Sequence, residues 1–250
     1  MTQESPQLIN LNDSNPVQIK QENPFETSKV KRKLKTKDCR VLFLYPNERG
    51  MSTIPPSITS LSQILKDEGH QTALFDTTFY KFDDEISIED SEVTKSKSLE
   101  NRPVLERDDD DIHFKKTTRS AILDFEASIE NFKPDFIAVS CTETTFLRAI
   151  KLIDQTRHKN IKNLFGGVFP TFAPDLVMNY KNVDMICVGE GENAIIDLAN
   201  SISNNEDYSN VTNLWIKQND GKITKNSISR PVNIDEIPVI TDIALFGEKR

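Results

Sequence analysis

The stretch CRVLFLYP, Cys39 to Pro46, decides the fold. Val41 to Leu44 form a continuous apolar run, the pattern of a strand covered on both faces, and Pro46 ends it. Next comes PPSITSLSQILKDEGH, Pro55 to His70, where Ile58, Leu61 and Leu65 recur at helical spacing. Pro55 and Pro56 suit a helix start and Gly69 its end. TALFD, Thr72 to Asp76, reads as a second strand, so the unit is strand, helix, strand.

The pattern continues toward the C-terminus. RSAILDFEASIENF carries Ile122, Phe125 and Ile129 on one helical face, and Lys133-Pro134-Asp135 turns into a third strand, Phe136–Ser140. After CTET, a helix aligns Phe146, Ala149, Ile150 and Ile153; Asn163–Phe165 is a short fourth strand, with a helix expected from Pro174 to about Tyr180. Met185–Val188 is the fifth strand, and Ala194, Ile195, Leu198 and Ile202 align on a closing helix. Strands alternating with helices over 39–203 imply a doubly wound α/β domain, a five-stranded parallel sheet of the Rossmann or flavodoxin type. LWIKQNDGKITKN then reads as a β-hairpin, Leu214–Lys217 and Lys222–Lys225, followed by an extended, proline-containing linker to Arg250.

Two segments fall outside this alternation. Residues 1–37 are polar and end in the basic run Lys29–Lys37, the composition of a disordered leader. Residues 77–116 are acidic and poorly periodic, a surface insertion or a lid. A formal net charge of −8 argues against general binding to nucleic acid or anionic membranes. The N-terminus lacks a signal-peptide core, and no run has the length of a membrane span. Cys39, Cys141 and Cys187 are odd in number and widely spaced, as reduced thiols of a cytoplasmic protein are.

Ligands of such sheets bind outside the carboxyl ends of the strands. There the sequence puts YPNERG (Tyr45–Gly50), SCTET (Ser140–Thr144), GGVFPT (Gly166–Thr171) and GEGE (Gly189–Glu192). Small and hydroxylated residues in such loops expose donors and let a large ligand approach the backbone. Neither GxGxxG nor GxxxxGK is present, so a simple dinucleotide or ATP site is poorly supported. Each motif also has an ordinary reading. Gly166-Gly167 can be a strand-end turn, the GEGE carboxylates can favour a helix start, and Ser140 or Thr142 can cap a helix. Cys141 fits a small buried residue, with no His close in sequence to activate it, and the three His show no metal-site spacing.

Taken together and in order, a first strand ending in Pro, SCT, GG-x-x-P-T and VD-x-I-x-x-GEGE resemble the N-terminal cobalamin-binding domain of cobalamin-dependent radical SAM enzymes. The similarity extends over about 39–203 and on through IDEIPVITDIALFG, which resembles the linker before the catalytic barrel. The resemblance implies that Gly166 and Gly167 lie beside the dimethylbenzimidazole tail and that Ser140 and Thr142 supply hydroxyls to it. Cys141, Pro170, Thr171, Gly189, Glu190 and Gly191 complete the implied cofactor contacts. YPNERG falls where relatives carry D-x-H-x-x-G: Gly50 fits, but Tyr45 stands in the Asp place and Asn47 in the His place. The implied cobalamin therefore lacks a His ligand from this loop.

The family's CxxxCxxC motif, which holds a [4Fe–4S] cluster that cleaves S-adenosylmethionine, is absent from these residues. The expectation is a cobalamin-holding part of a radical SAM enzyme, methyltransferase-like or related, with its barrel in cis or in trans. The alternatives are a stand-alone corrinoid sensor, or a flavodoxin-like domain for FMN or a nucleotide.

Overall fold

The computed structural model describes residues 37–47, 54–80, 82, 117–233, 235, 237 and 241–247. The expected leader apart from Lys37, the loop position Gly50, His113 and nearly all of the acidic insertion lie outside the described residues. The strands are β1 (Arg40–Tyr45), β2 (Gln71–Asp76), β3 (Phe136–Ser140), β4 (Lys162–Gly166), β5 (Met185–Cys187), β6 (Leu214–Lys217) and β7 (Ile223–Lys225). The helices are α1 (Pro56–Asp67), α2 (Ala121–Phe132), α3 (Glu143–Gln155), α4 (Val168–Phe172), α5 (Pro174–Met178) and α6 (Glu192–Ser203).

The sheet order is β2-β1-β3-β4-β5-β6-β7, and the first five strands are parallel. This is the doubly wound arrangement whose strand order reverses between β1 and β3. Alternate residues of each strand feed two cores. Leu42, Leu44, Ile137, Val139 and Phe165 pack with Phe125 of α2 and with Phe146 and Leu152 of α3. Val41, Phe43, Phe136, Ala138 and Leu164 pack with Ile58 and Leu65 of α1 and with Ile195 and Leu198 of α6. The unbroken apolar run of β1 thus has the cause expected of it: both faces are covered.

Three features differ from the expectation. The sheet has seven strands, not five, because the hairpin is part of it. β6 pairs antiparallel with β5, Met185 opposite Ile216 and Cys187 opposite Leu214, and β7 pairs with β6. An edge strand leaves a row of peptide groups open, and Leu214 and Ile216, both buried, extend the α1–α6 core when they close it.

The helix after β4 also begins earlier and breaks. Pro170 lies in the first turn of α4, where no intrahelical N–H is required. Ala173, held before Pro174, leaves the helical region at φ −129 and ψ 51, and α5 restarts after it.

Lastly, part of the extended tail folds back. Asp242 accepts hydrogen bonds from Ser62 Oγ at 2.6 Å and Lys66 Nζ at 2.6 Å, and its N–H donates to the Thr59 carbonyl at 3.1 Å. A short 3₁₀ turn, Ile243–Phe246, follows, and the Phe246 ring meets Tyr45 edge-on at 6.3 Å. Replacing Asp242 by Ala is expected to cost about 1–2 kcal/mol, since Lys66 and the buried Ser62 hydroxyl lose their carboxylate partner and only the backbone bond to Thr59 and the Ser62–Thr72 bond remain. A denaturant midpoint and faster proteolytic cleavage within 241–247 check it; an unchanged cleavage rate would contradict the anchoring role.

Candidate functional site

The carboxyl ends of β1, β3, β4 and β5 open onto two adjoining cavities. The inner one, about 200 Å³, runs down between the sheet and helices α1 and α6. Its walls are Phe43, Ala138 and Leu164 from the sheet, Ile58 and Leu61 from α1, and Ile195 from α6, so it is an apolar slot. The outer one, about 430 Å³, lies over the strand ends between Tyr45, Asn47 and Pro55 on one side and Val168, Thr171 and Phe172 on the other. Ser57, Ser140, Gly167 and Gly189 border both.

The residues singled out by sequence distribute between the two. Ser140, Gly167 and Gly189 lie at the junction; Gly166, Glu190 and Gly191 line the slot; Asn47, Cys141, Thr142 and Thr171 line the outer cavity. Pro170 is buried within α4 and lines neither cavity.

The two glycines where β4 ends, Gly166 and Gly167, differ in what they require. Gly167 has φ +103, and a Cβ there would stand 2.7 Å from the Cys141 carbonyl oxygen. It is therefore glycine for reasons internal to the chain. Gly166 has no such demand: a Cβ would find its nearest neighbours, Cys187 Cβ and the Val139 carbonyl, at 3.9 Å. It shares the parity of Leu164, and the space in front of it is the slot.

Several of the implied contact residues hold the loops together. Asn47, 2% exposed, donates from Nδ2 to Thr78 Oγ1 at 2.9 Å, and Thr78 in turn donates to Asp76 at 2.5 Å. The Asn47 carbonyl accepts from Thr77 Oγ1 at 2.9 Å and from Arg148 Nη1 at 2.6 Å, while the Arg148 guanidinium lies 4.5 Å from the Phe82 ring centroid. Thr145 closes the start of α3 by accepting the Thr142 N–H at 3.0 Å, so Thr142 is the helix cap and Ser140 is not.

Thr171 ties two loops, donating to the Gly167 carbonyl at 2.9 Å and accepting the Gly189 N–H at 3.2 Å. Glu190 takes the Val232 N–H on its carboxylate and the Asn213 Nδ2 on its carbonyl at 2.8 Å.

Cys141 and Cys187 are buried, and burial pushes both thiols up to about 12, with the Glu192 charge adding to it at Cys187. Both stay protonated at neutral pH and are space-filling residues, not nucleophiles. Among the described residues no three His, Cys, Asp or Glu side chains cluster as a metal site, and no helix is long and apolar enough to cross a membrane.

Sequence reasoning did not single out Ser57, Leu61 or Arg148. Ser57 and Leu61 sit in the first turns of a helix that begins just beyond the β1 loop, and that position was the available signal. Arg148 gave none, because an arginine on a helix is ordinarily a solvent residue.

Residues 104–199 match the B12 binding domain family. An uncharacterized methyltransferase of Pyrococcus horikoshii is 30% identical over 121 residues, 46% of this chain and 26% of that protein. Among solved structures, the radical S-adenosylmethionine methyltransferase TsrM of Kitasatospora setae, with cobalamin and a [4Fe–4S] cluster bound, is similar with a TM-score of 0.55 at 16% identity, over 81% of this chain and 31% of that one.

The cobalamin-dependent S-adenosylmethionine radical enzyme OxsB, with aqua-cobalamin bound, is similar with a TM-score of 0.57 at 16% identity, over 84% of this chain and 25% of that one. The chain thus spans less than a third of the length of each of these proteins. The first strand and its loop, where Tyr45 and Asn47 depart from D-x-H-x-x-G, precede the matched segment, whereas β3, β4, β5 and most of α6 lie inside it. Over residues 104–199 the chain is thus similar to B12-binding domains.

Proposed function

We propose that this domain holds cobalamin with its nucleotide tail in the slot beside Gly166 and its corrin ring in the outer cavity. It would do so for a radical SAM barrel supplied in cis or in trans, in a methyltransferase-like enzyme. The observation that carries the reading is the junction of the two cavities at Ser140, Gly167 and Gly189, at the point where strand order reverses. A corrinoid accounts for both cavities; a flavin or a mononucleotide would account for one.

When bound, cobalamin supplies a cobalt centre able to carry a methyl group. The chain's own part is binding and orientation. Phe43, Ile58, Leu61 and Leu164 take the tail out of water, and burial of its apolar surface drives entry. Thr171 fixes the Gly167 and Gly189 loops against each other, so the slot mouth is formed before the ligand arrives. Asn47, committed to Thr78 and held through its carbonyl by Arg148, keeps the β1 loop down and offers no imidazole to the metal.

Titration with hydroxocobalamin, followed in the visible spectrum, tests the reading. Binding is expected without the spectral signature of histidine ligation. Gly166→Leu is expected to weaken binding roughly a hundredfold or more, about 2.7 kcal/mol, with little change in melting temperature, because its side chain fills the slot without straining the backbone. Failure of the wild-type protein to bind at high micromolar cobalamin would sink the reading, and full affinity in Gly166→Leu would remove the tail from the slot.

A further inference from the structure

The C-terminal segment that folds back, residues 241–247, touches both α1 and the end of β1, the two elements beside which the cavities open. On α1 its contacts fall along one stripe. The Asp242 N–H donates to the Thr59 carbonyl, and the Asp242 carboxylate accepts from Ser62 Oγ and Lys66 Nζ. Thr59, Ser62 and Lys66 stand three and four residues apart, so they share one face of the helix. Thr59 and Ser62 are buried, polar residues of α1 that this segment supplies with partners. Ser62 carries the contact on to the sheet: with its proton given to Asp242, it accepts from Thr72 Oγ1 of β2 at 2.7 Å. Ser57, Ile58 and Leu61, which border the cavities, belong to the same first turns of α1. That helix start has no side-chain cap and no acidic residue in its first turn, so its own sequence fixes it weakly.

On β1 the contact is aromatic. Phe246 meets the Tyr45 ring edge-on, and Tyr45 is part of the wall of the outer cavity. Neither Asp242 nor Phe246 lines a cavity, so both act through other residues. We infer that residues 241–247 are a strap that positions Tyr45 and the start of α1 as walls of the cofactor cavities, so that seating of the strap and binding of the ligand are coupled. This deepens the corrinoid reading and rests on it. The coupling is an equality as well as a direction: the factor by which the seated strap tightens the ligand is the factor by which the ligand favours the seated strap. The C-terminal segment thereby responds to whether the cavities are filled.

The first arm of the test measures hydroxocobalamin affinity by visible difference spectra. Asp242→Ala, which releases the strap from α1, is expected to weaken binding roughly fivefold or more. Phe246→Ala leaves the α1 anchor in place and removes only the ring from Tyr45; a loss of roughly threefold is expected. Ile243→Ala, an exposed position in the same turn, is expected to change nothing. The second arm needs no variant. Hydrogen exchange of the 241–247 peptide in the wild-type protein is expected to slow, with saturating hydroxocobalamin, by about the factor that Asp242→Ala loses in affinity. The Gly221 amide, bonded to the Gln218 carbonyl in the hairpin turn at the other end of the sheet, is expected to exchange at an unchanged rate.

A strap with a merely structural role would lower stability in Asp242→Ala and leave both the affinity and the ligand-dependent exchange unmoved. Unchanged affinity in Asp242→Ala and Phe246→Ala, or exchange at 241–247 indifferent to the ligand, would therefore overturn the coupling and leave the corrinoid reading intact. An equal loss in Ile243→Ala would also overturn it, because the effect would not belong to the two named contacts. Failure of the wild-type protein to bind hydroxocobalamin would overturn the corrinoid reading and the coupling with it.

Discussion

Gly167→Val is expected to lower the unfolding free energy by about 3–4 kcal/mol, a loss few single substitutions reach. Gly167 sits at φ +103 and ψ −166, a region essentially closed to residues with a Cβ. A Cβ would also stand 2.7 Å from the Cys141 carbonyl oxygen and 3.2 Å from its nitrogen. That peptide cannot yield freely, because the Cys141 N–H is bonded to the Gly166 carbonyl at 3.1 Å as the β3–β4 pairing ends.

Urea denaturation with and without hydroxocobalamin reads the effect. The loss should be nearly as large without the ligand, because its cause lies in the chain. A loss below about 1 kcal/mol in the free protein would show that the loop relaxes around the new side chain. The glycine pair therefore answers to two different demands. Gly167 is required by the neighbouring backbone, and Gly166, in the reading proposed above, by what enters the slot.

The alternating architecture was legible because each parallel strand carries its own signal. The run Val41–Leu44 is buried on both faces, and Pro55, Pro56 and Gly69 bracket α1 as their chemistry demands. The hairpin was legible as a hairpin but not as a sheet member. Leu214 and Ile216 alternate with Trp215 and Lys217, which says that one face is buried and leaves open which edge receives it. By sequence Pro170 falls in the loop after β4, yet it lies in a helical first turn, where its missing N–H is not needed.

At the site, the cavity edge was legible from loop position alone. What each side chain does there was less so, because the deciding partners are remote in sequence. Asn47 is bound by Thr78 and Arg148, and Glu190 by Asn213 and Val232. Glu192 looked only like a helix-start charge; that its Oε2 is buried and unmatched depends on how α1 and α6 meet above the sheet.

Asp184→Ala is expected to cost about 3–4 kcal/mol, although the residue lies at the opposite end of the sheet from the cavities. Asp184, in the VD pair before β5, is nearly buried and gathers five donors from the turn before β4 and from β4 itself. Arg157 approaches with both terminal nitrogens at 2.8 and 2.9 Å, the Asn163 N–H and Nδ2 at 3.1 and 2.9 Å, and Lys162 Nζ at 3.3 Å. Asn163 answers by accepting the Asp184 N–H at 3.0 Å. Removing the carboxylate orphans the buried Asn163 N–H and leaves Arg157 to solvent.

The same bonds fix the β4–β5 register, Leu164 opposite Met185 and Phe165 opposite Ile186, which in turn sets Gly166 beside Cys187 at the slot. Burial pushes the Asp184 carboxyl up, but the bonds from Arg157, reinforced by the charge of Lys162, outweigh it and hold the group below the usual carboxylate range. The folded value thus lies below the unfolded one, so this stabilisation is complete above about pH 4 and is lost as the pH falls through the folded value. Asp184→Asn keeps the shape and one acceptor but cannot titrate. Its stability at neutral pH should fall below that of the wild type, and the gap should narrow on acidification. A gap that is constant with pH would mean that the Asp184 charge does not contribute to the network.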